Sequence, residues 1–142
     1  MALHALAESP LDRAHLAAPL VDMEAFILRK MTLQGVSERD LRARRHIPLA
    51  DGQSLDWAYL TWVRRHPTRW HHPTSVLYGS SDAIIPRPDI DSFTRATGAQ
   101  LQVIPAGHYL HTAHDLAVLR RWVTGRLADV PAGPSGSLSL RR

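Results

Sequence analysis

A chain of 142 residues fits one domain and buries roughly two-thirds of the surface that its unfolded form exposes. With 44% hydrophobic and 21% charged residues it is not disordered throughout, and no apolar run approaches the ~20 residues of a membrane span. The lack of cysteine excludes disulfides and thiolate chemistry, and the net charge of +4 comes from arginine almost alone, Lys30 being the single lysine.

Met1 to Pro10 has no basic start, continuous apolar core or small-residue cleavage site, so it does not read as a signal peptide. A cytoplasmic protein is the expectation. Arg39, Arg42, Arg44, Arg45 and His46 form a basic run. Scattered acidic residues and the lack of an aromatic-plus-basic pattern favour a solvated face or partner contact over nucleic acid.

Met1 to Glu8 is rich in alanine and leucine and predicts a helix without an N-cap. Leu11 to Leu20 predicts a short buried strand. Asp22 caps a predicted helix with Met23, Phe26, Ile27 and Met31 along one face, and Ser37 caps a second through Leu41. Ile47 to Gln53 reads as a loop with an Asp-Gly turn. Ser54 then opens a predicted amphipathic helix with Leu55, Ala58, Tyr59, Trp62 and Val63 on one face, which Pro67 stops.

Thr74 to Tyr78 is apolar and β-branched between Pro73 and Gly79, the pattern of a buried strand. Pro88 suits the first turn of a helix carrying Ile90, Phe93 and Ala96, and Gly98 ends it. Leu101 to Ile104 predicts another strand. Thr112 and Asp115 resemble a capping box ahead of Leu116, Leu119 and Val123. After Asp129 the composition turns to Pro, Gly and Ser, so 131–142 is expected to be a disordered tail. The βαβα order from Thr74 to Val123 implies a parallel sheet with right-handed crossovers.

Functional groups of open α/β sheets gather beyond the carboxyl ends of the strands. Two loops occupy that place: Gly79-Ser80-Ser81-Asp82 and Pro105-Ala106-Gly107-His108. Neighbouring parallel strands bring Asp82 and His108 to one edge, and an aspartate that orients a histidine is the supporting part of a nucleophilic triad. A turn-stabilising Asp82 and a structural His108 are the plainer alternatives.

The span PTSVLYGSSDAIIPRPDIDSFTRATGAQLQVIPAGHYLHTAHDLAVLRRWV resembles the end of an α/β-hydrolase. There a late strand leads into a G-x-x-D turn with the catalytic acid, and the last strand into a G-H turn with the catalytic histidine. Pro19 to Met23, Asp51 to Trp57 and Trp70 to Thr74 resemble the late strand and lid helices of bacterial members. The resemblance covers about residues 1–125, more specifically 70–123. It implies the C-terminal part of a three-layer α/β sandwich with a short, mainly parallel sheet, flanking helices and lid helices. The implied division is a partial domain over 1–130, with lid helices at about 22–69 and a βαβα unit at 70–125. Asp82 is implied as acid and His108 as base, in the family's order of acid before histidine.

The departure is the nucleophile: no G-x-S-x-G occurs. Met1 to Glu8 resembles the helix that follows that elbow, as though the chain began just downstream of the serine. Ser37, Ser54, Ser80 and Ser81 read as cap and turn residues instead. His108, His111 and His114 recur at every third residue and His71-His72 adds two more, yet no zinc spacing appears, so neither metal nor cofactor is expected. Phe26, Trp57, Tyr59 and Trp62 line either a substrate pocket or the helix core; Arg64, Arg65 and Arg69 suit a helix C-terminus.

The expected function is a serine hydrolase fragment, esterase-like or lysophospholipase-like, acting on a small-molecule acyl substrate once completed and inactive alone. The alternative is a non-catalytic module that pairs with itself or with a separate N-terminal half. The chain alone is expected to be poorly soluble, oligomeric or partly folded, because an incomplete sheet leaves an open edge.

Overall fold

A computed structural model describes residues 2–128, so the expected tail lies outside the described residues. The chain divides into two compact units, Met1–His108 and Tyr109–Arg142. In chain order the first unit contains α1 (Ala2–Leu6), β1 (Ala14–Ala17), α2 (Met23–Leu33), α3 (Glu38–Arg44), β2 (His46–Pro48), β3 (Ser54–Asp56), α4 (Trp57–Arg65), β4 (Thr74–Gly79), α5 (Arg87–Thr97) and β5 (Gln100–Ile104). The second contains α6 (Ala113–Ala128).

Strands β1, β4 and β5 form a parallel sheet in the order β1-β4-β5. All six residues of the central strand are buried, as expected of a parallel strand covered on both faces. Val76 and Tyr78 pack with Ile85 and with Ile90 of α5, while Leu3, Ala14 and Trp70 form a second cluster. Pro88 lies in the first turn of α5, and Gly98 closes that helix in the left-handed conformation at φ 69. The expected strand from Leu11 to Leu20 shrinks to Ala14–Ala17, because Ala18 takes φ 44 and Pro19 has no N–H to continue the ladder.

Between β1 and β4 lies a helical segment with its own apolar cluster. Ile27, Met31, Leu41, Ile47, Leu55, Leu60 and Val63 are buried together there. Asp22 caps α2 by accepting the Ala25 N–H at 2.8 Å, and Ser37 and Asp40 form the capping box of α3. Each such cap stabilises its helix by about 1 kcal/mol.

Two expectations fail here. The stretch from Ile47 to Gln53 is not all loop: His46–Pro48 and Ser54–Asp56 pair antiparallel, with Ile47 opposite Leu55. Ser54 therefore sits in a strand, and Asp56 caps α4, accepting the Tyr59 N–H at 2.7 Å. Starting α4 two residues later moves its buried face to Leu60 and Val63. Trp62 turns outward to stack on His66 at 4.6 Å, with the His4 ring 4.9 Å away.

In the second unit, Thr112 and Asp115 do form the capping box of α6, with bonds of 3.2 and 3.1 Å. The expected apolar face is displaced. Asp115 and Trp122, seven positions apart and so on one face of the helix, are buried, whereas Leu116 is exposed.

Candidate active site

Parallel pairing sets Gly79 opposite Ile104, so the turns after β4 and β5 leave the sheet side by side. Backbone bonds then stitch them together. The Ser80 N–H donates to the Ile104 carbonyl at 2.8 Å and the Ser81 N–H to that of Ala106 at 3.0 Å. Gly79 is needed for this approach, because a Cβ there would lie 2.3 Å from the Ala106 carbonyl oxygen. Its role is close contact and not a positive φ.

Asp82 closes its turn with an N–H bond of 3.1 Å to the Gly79 carbonyl. Its carboxylate is fully buried. Oδ1 accepts the N–H groups of Ile84 and Ile85, both at 2.8 Å, and Oδ2 lies 2.9 Å from His108 Nδ1. Every oxygen of a buried carboxylate needs donors, and here three are supplied. His108 keeps 23% of its side chain exposed, so one end of the ring is anchored on Asp82 while the residue remains reachable. With Nδ1–H donating to Asp82, Nε2 is left as the basic nitrogen.

Tyr78 was not singled out in the sequence, yet it braces this arrangement. Its hydroxyl donates to the Ile85 carbonyl at 2.8 Å, within the buried cluster under the turn. Burial, and then the neighbouring Asp82 charge, push its pKa up, so it stays a protonated donor. The only sequence signal for it was an aromatic residue at the end of a buried strand.

The remaining candidates fall elsewhere. Ser80 and Ser81 are exposed in the turn, Ser37 is a cap, and Ser54 pairs with Pro48; none sits at a strand-to-helix elbow. Trp57 and Tyr59 pack against the apolar cluster of the helical segment. Trp62 instead helps line a cleft of about 280 Å³ with His4, Val21, Met23, Val63 and Pro67. That cleft adjoins the loop after β1, and neither Asp82 nor His108 is among its lining residues. His72 bonds the Ala7 carbonyl at 3.1 Å, and no three described His, Asp or Glu side chains converge as a metal-binding group. No described helix is long and apolar enough to cross a membrane.

No family model and no curated protein sequence matches this chain. Solved structures do. Alpha/beta hydrolase domain-containing protein 10 from mouse superposes with a TM-score of 0.67 at 13% identity, over 92% of this chain and 58% of its own. An esterase of Pyrococcus furiosus gives a TM-score of 0.46 at 14% identity, over 89% of this chain and 46% of the esterase. At such identities the mouse superposition speaks for fold: this chain has a partial α/β-hydrolase fold. It spans a little under three-fifths of the mouse protein.

Proposed function

We propose that this chain supplies the acid and base of a serine-hydrolase site that cleaves a carboxylic ester or related acyl bond. The observation that carries the reading is the 2.9 Å contact from Asp82 Oδ2 to His108 Nδ1, with Oδ1 held by two backbone N–H groups. Asp82 fixes the ring and its tautomer. His108 Nε2 takes the proton of an attacking serine hydroxyl as the oxygen bonds the acyl carbon, then passes that proton to the leaving alkoxide. Water repeats the sequence on the acyl-enzyme and returns the serine.

The serine is proposed to lie outside this chain, in an N-terminal half that completes the sheet at the free side of β1. No described serine occupies an elbow, and the sequence holds no G-x-S-x-G. The test is hydrolysis of a short-chain p-nitrophenyl ester by the purified chain, with and without a co-expressed N-terminal half bearing that motif. No turnover alone, and turnover in the complemented protein that His108→Ala and Asp82→Ala each reduce by about 10³-fold or more, is expected. Turnover by the chain alone that survives both substitutions overturns the reading. Complementation that restores a stable complex without turnover favours the other reading, a non-catalytic interaction module.

A further inference from the structure

We propose that the exposed arginines of α3 and of its C-terminal cap, together with the end of α2, form a docking surface for an anionic phospholipid bilayer. The helical segment sorts its cations into two groups. Arg29, Lys30 and Arg64 are each held by a carboxylate: Asp89 at 2.8 Å, Asp51 at 3.0 Å, and Glu24 with Glu38, both at 2.6 Å. Arg39, Arg42, Arg44 and Arg45 are all exposed and none makes a close ion pair with a described carboxylate, although Arg44 and Arg39 lie near enough to Asp40 to help hold its carboxyl below the usual range. Buried Leu41 faces the apolar cluster, so helical periodicity turns Arg39 and Arg42 to the outside. Arg42 lies over the half-buried Trp57 ring, 6.0 Å from its centroid, which fixes the guanidinium stem against the surface.

Arg45 adds a second observation. It adopts φ 68 and ψ −41, a positive-φ conformation that a side chain disfavours and that glycine takes freely. An arginine nonetheless stands there, at the end of the basic run. The third observation is apolar. Leu33, the last residue of α2, is 83% exposed, more than any other large hydrophobic side chain among the described residues. Arg39 lies six positions further on, a reach of at most about 20 Å.

Exposed arginines and a protruding leucine within one short stretch of chain fit a bilayer better than a nucleic acid. The guanidinium groups meet headgroup phosphates while Leu33 enters the interfacial zone. A nucleic acid has no use for Leu33, and this surface offers no exposed aromatic ring on which a base stacks. The association is peripheral, since no described helix spans a membrane. It does not depend on the hydrolase reading.

The test is flotation of the full chain with vesicles of phosphatidylcholine, plain or doped with phosphatidylserine, so that any aggregate sinks away from the signal. The chain is expected to float with doped vesicles alone and to be released by salt. Arg39→Gln, Arg42→Gln, Arg44→Gln and Arg45→Gln combined weaken binding by more than ~10-fold. Removing the same charge by Arg13→Gln, Arg95→Gln, Arg120→Gln and Arg121→Gln leaves it within about 3-fold, longer-range attraction being screened. Leu33→Ser weakens binding at constant charge, a readout that keeps the test open if the fourfold variant fails to fold. Equal losses in the two fourfold variants, no effect of Leu33→Ser, or preferential capture by duplex DNA at matched salt each overturn the proposal.

Discussion

The helical segment between β1 and β4 and the pair of turns after β4 and β5 are held together by opposite means. In the helical segment, side chains meet in an apolar cluster around Leu41 and Leu60, and ion pairs such as Arg64 with Glu24 and Glu38 decorate the outside. In the turns the adhesive is backbone: N–H groups of Ser80, Ser81, Ile84 and Ile85 are all committed, and a glycine lets two main chains touch. The first kind of structure tolerates small shape changes. The second positions a polar group to within a few tenths of an ångström and tolerates almost none.

The largest effect that separates them is expected from Leu41→Ala. The side chain is fully buried, so its loss should cost about 2–5 kcal/mol, measured by urea unfolding. The Asp82–His108 contact should persist below the transition, visible as unchanged His108 ring resonances by NMR. Gly79→Ala is the converse. Forcing a methyl against the Ala106 carbonyl should cost about 1–3 kcal/mol. It should also separate the turns, so that the His108 resonances move towards those of Asp82→Asn. An unchanged His108 spectrum in Gly79→Ala would show that the close approach does not position the pair.

Tyr78→Phe sharpens the same contrast more gently. It leaves the Ile85 carbonyl without its hydroxyl donor, at a cost of about 1–3 kcal/mol. A displacement of the His108 ring resonances in the same direction as in Asp82→Asn, but smaller, is expected; a loss of stability with no such displacement would make Tyr78 a packing residue only. The smallest effect is acid sensitivity of the helical segment. The Arg64 hydrogen bond holds the Glu38 carboxyl below the usual glutamate range, and Ser37 does the same for Asp40. Their folded values are depressed, so their contribution is complete above the unfolded values and disappears as pH falls through the folded ones. Glu38→Gln should flatten the decline of thermal stability in that acid window, and an unaltered decline would assign it to other carboxylates.

The sequence exposed the two regions unequally. Strands β4 and β5 were legible because each is a compact apolar run closed by glycine or proline, and their order alone places Asp82 and His108 on one edge. The caps at Asp22, Ser37, Thr112 and Gly98 were legible from single residues, because each satisfies an orphan backbone group or adopts a conformation that few others tolerate. The hairpin of β2 and β3 was not, since three-residue strands are too short to show alternation and Ile47 and Leu55 gain meaning only from each other. Ser54 and Asp56 are both good cap types, and the pairing of Ser54 with Pro48 decides between them. The bracing by Tyr78 was beyond reach, because the carbonyl that it serves lies on a turn whose path depends on Asp82 itself.

The parallel alignment of β4 with β5 has a consequence for assembly. Asp82 and His108 hang from adjacent strands in one alignment only, with Gly79 opposite Ile104. Sliding β5 by a single residue moves its end by about 3.3 Å and exchanges its inward and outward faces. Added to a contact of 2.9 Å, that displacement is enough to part the carboxylate from the imidazole, so their hydrogen bond acts as a proofreading mark on the sheet, made only when the strands have met in this alignment.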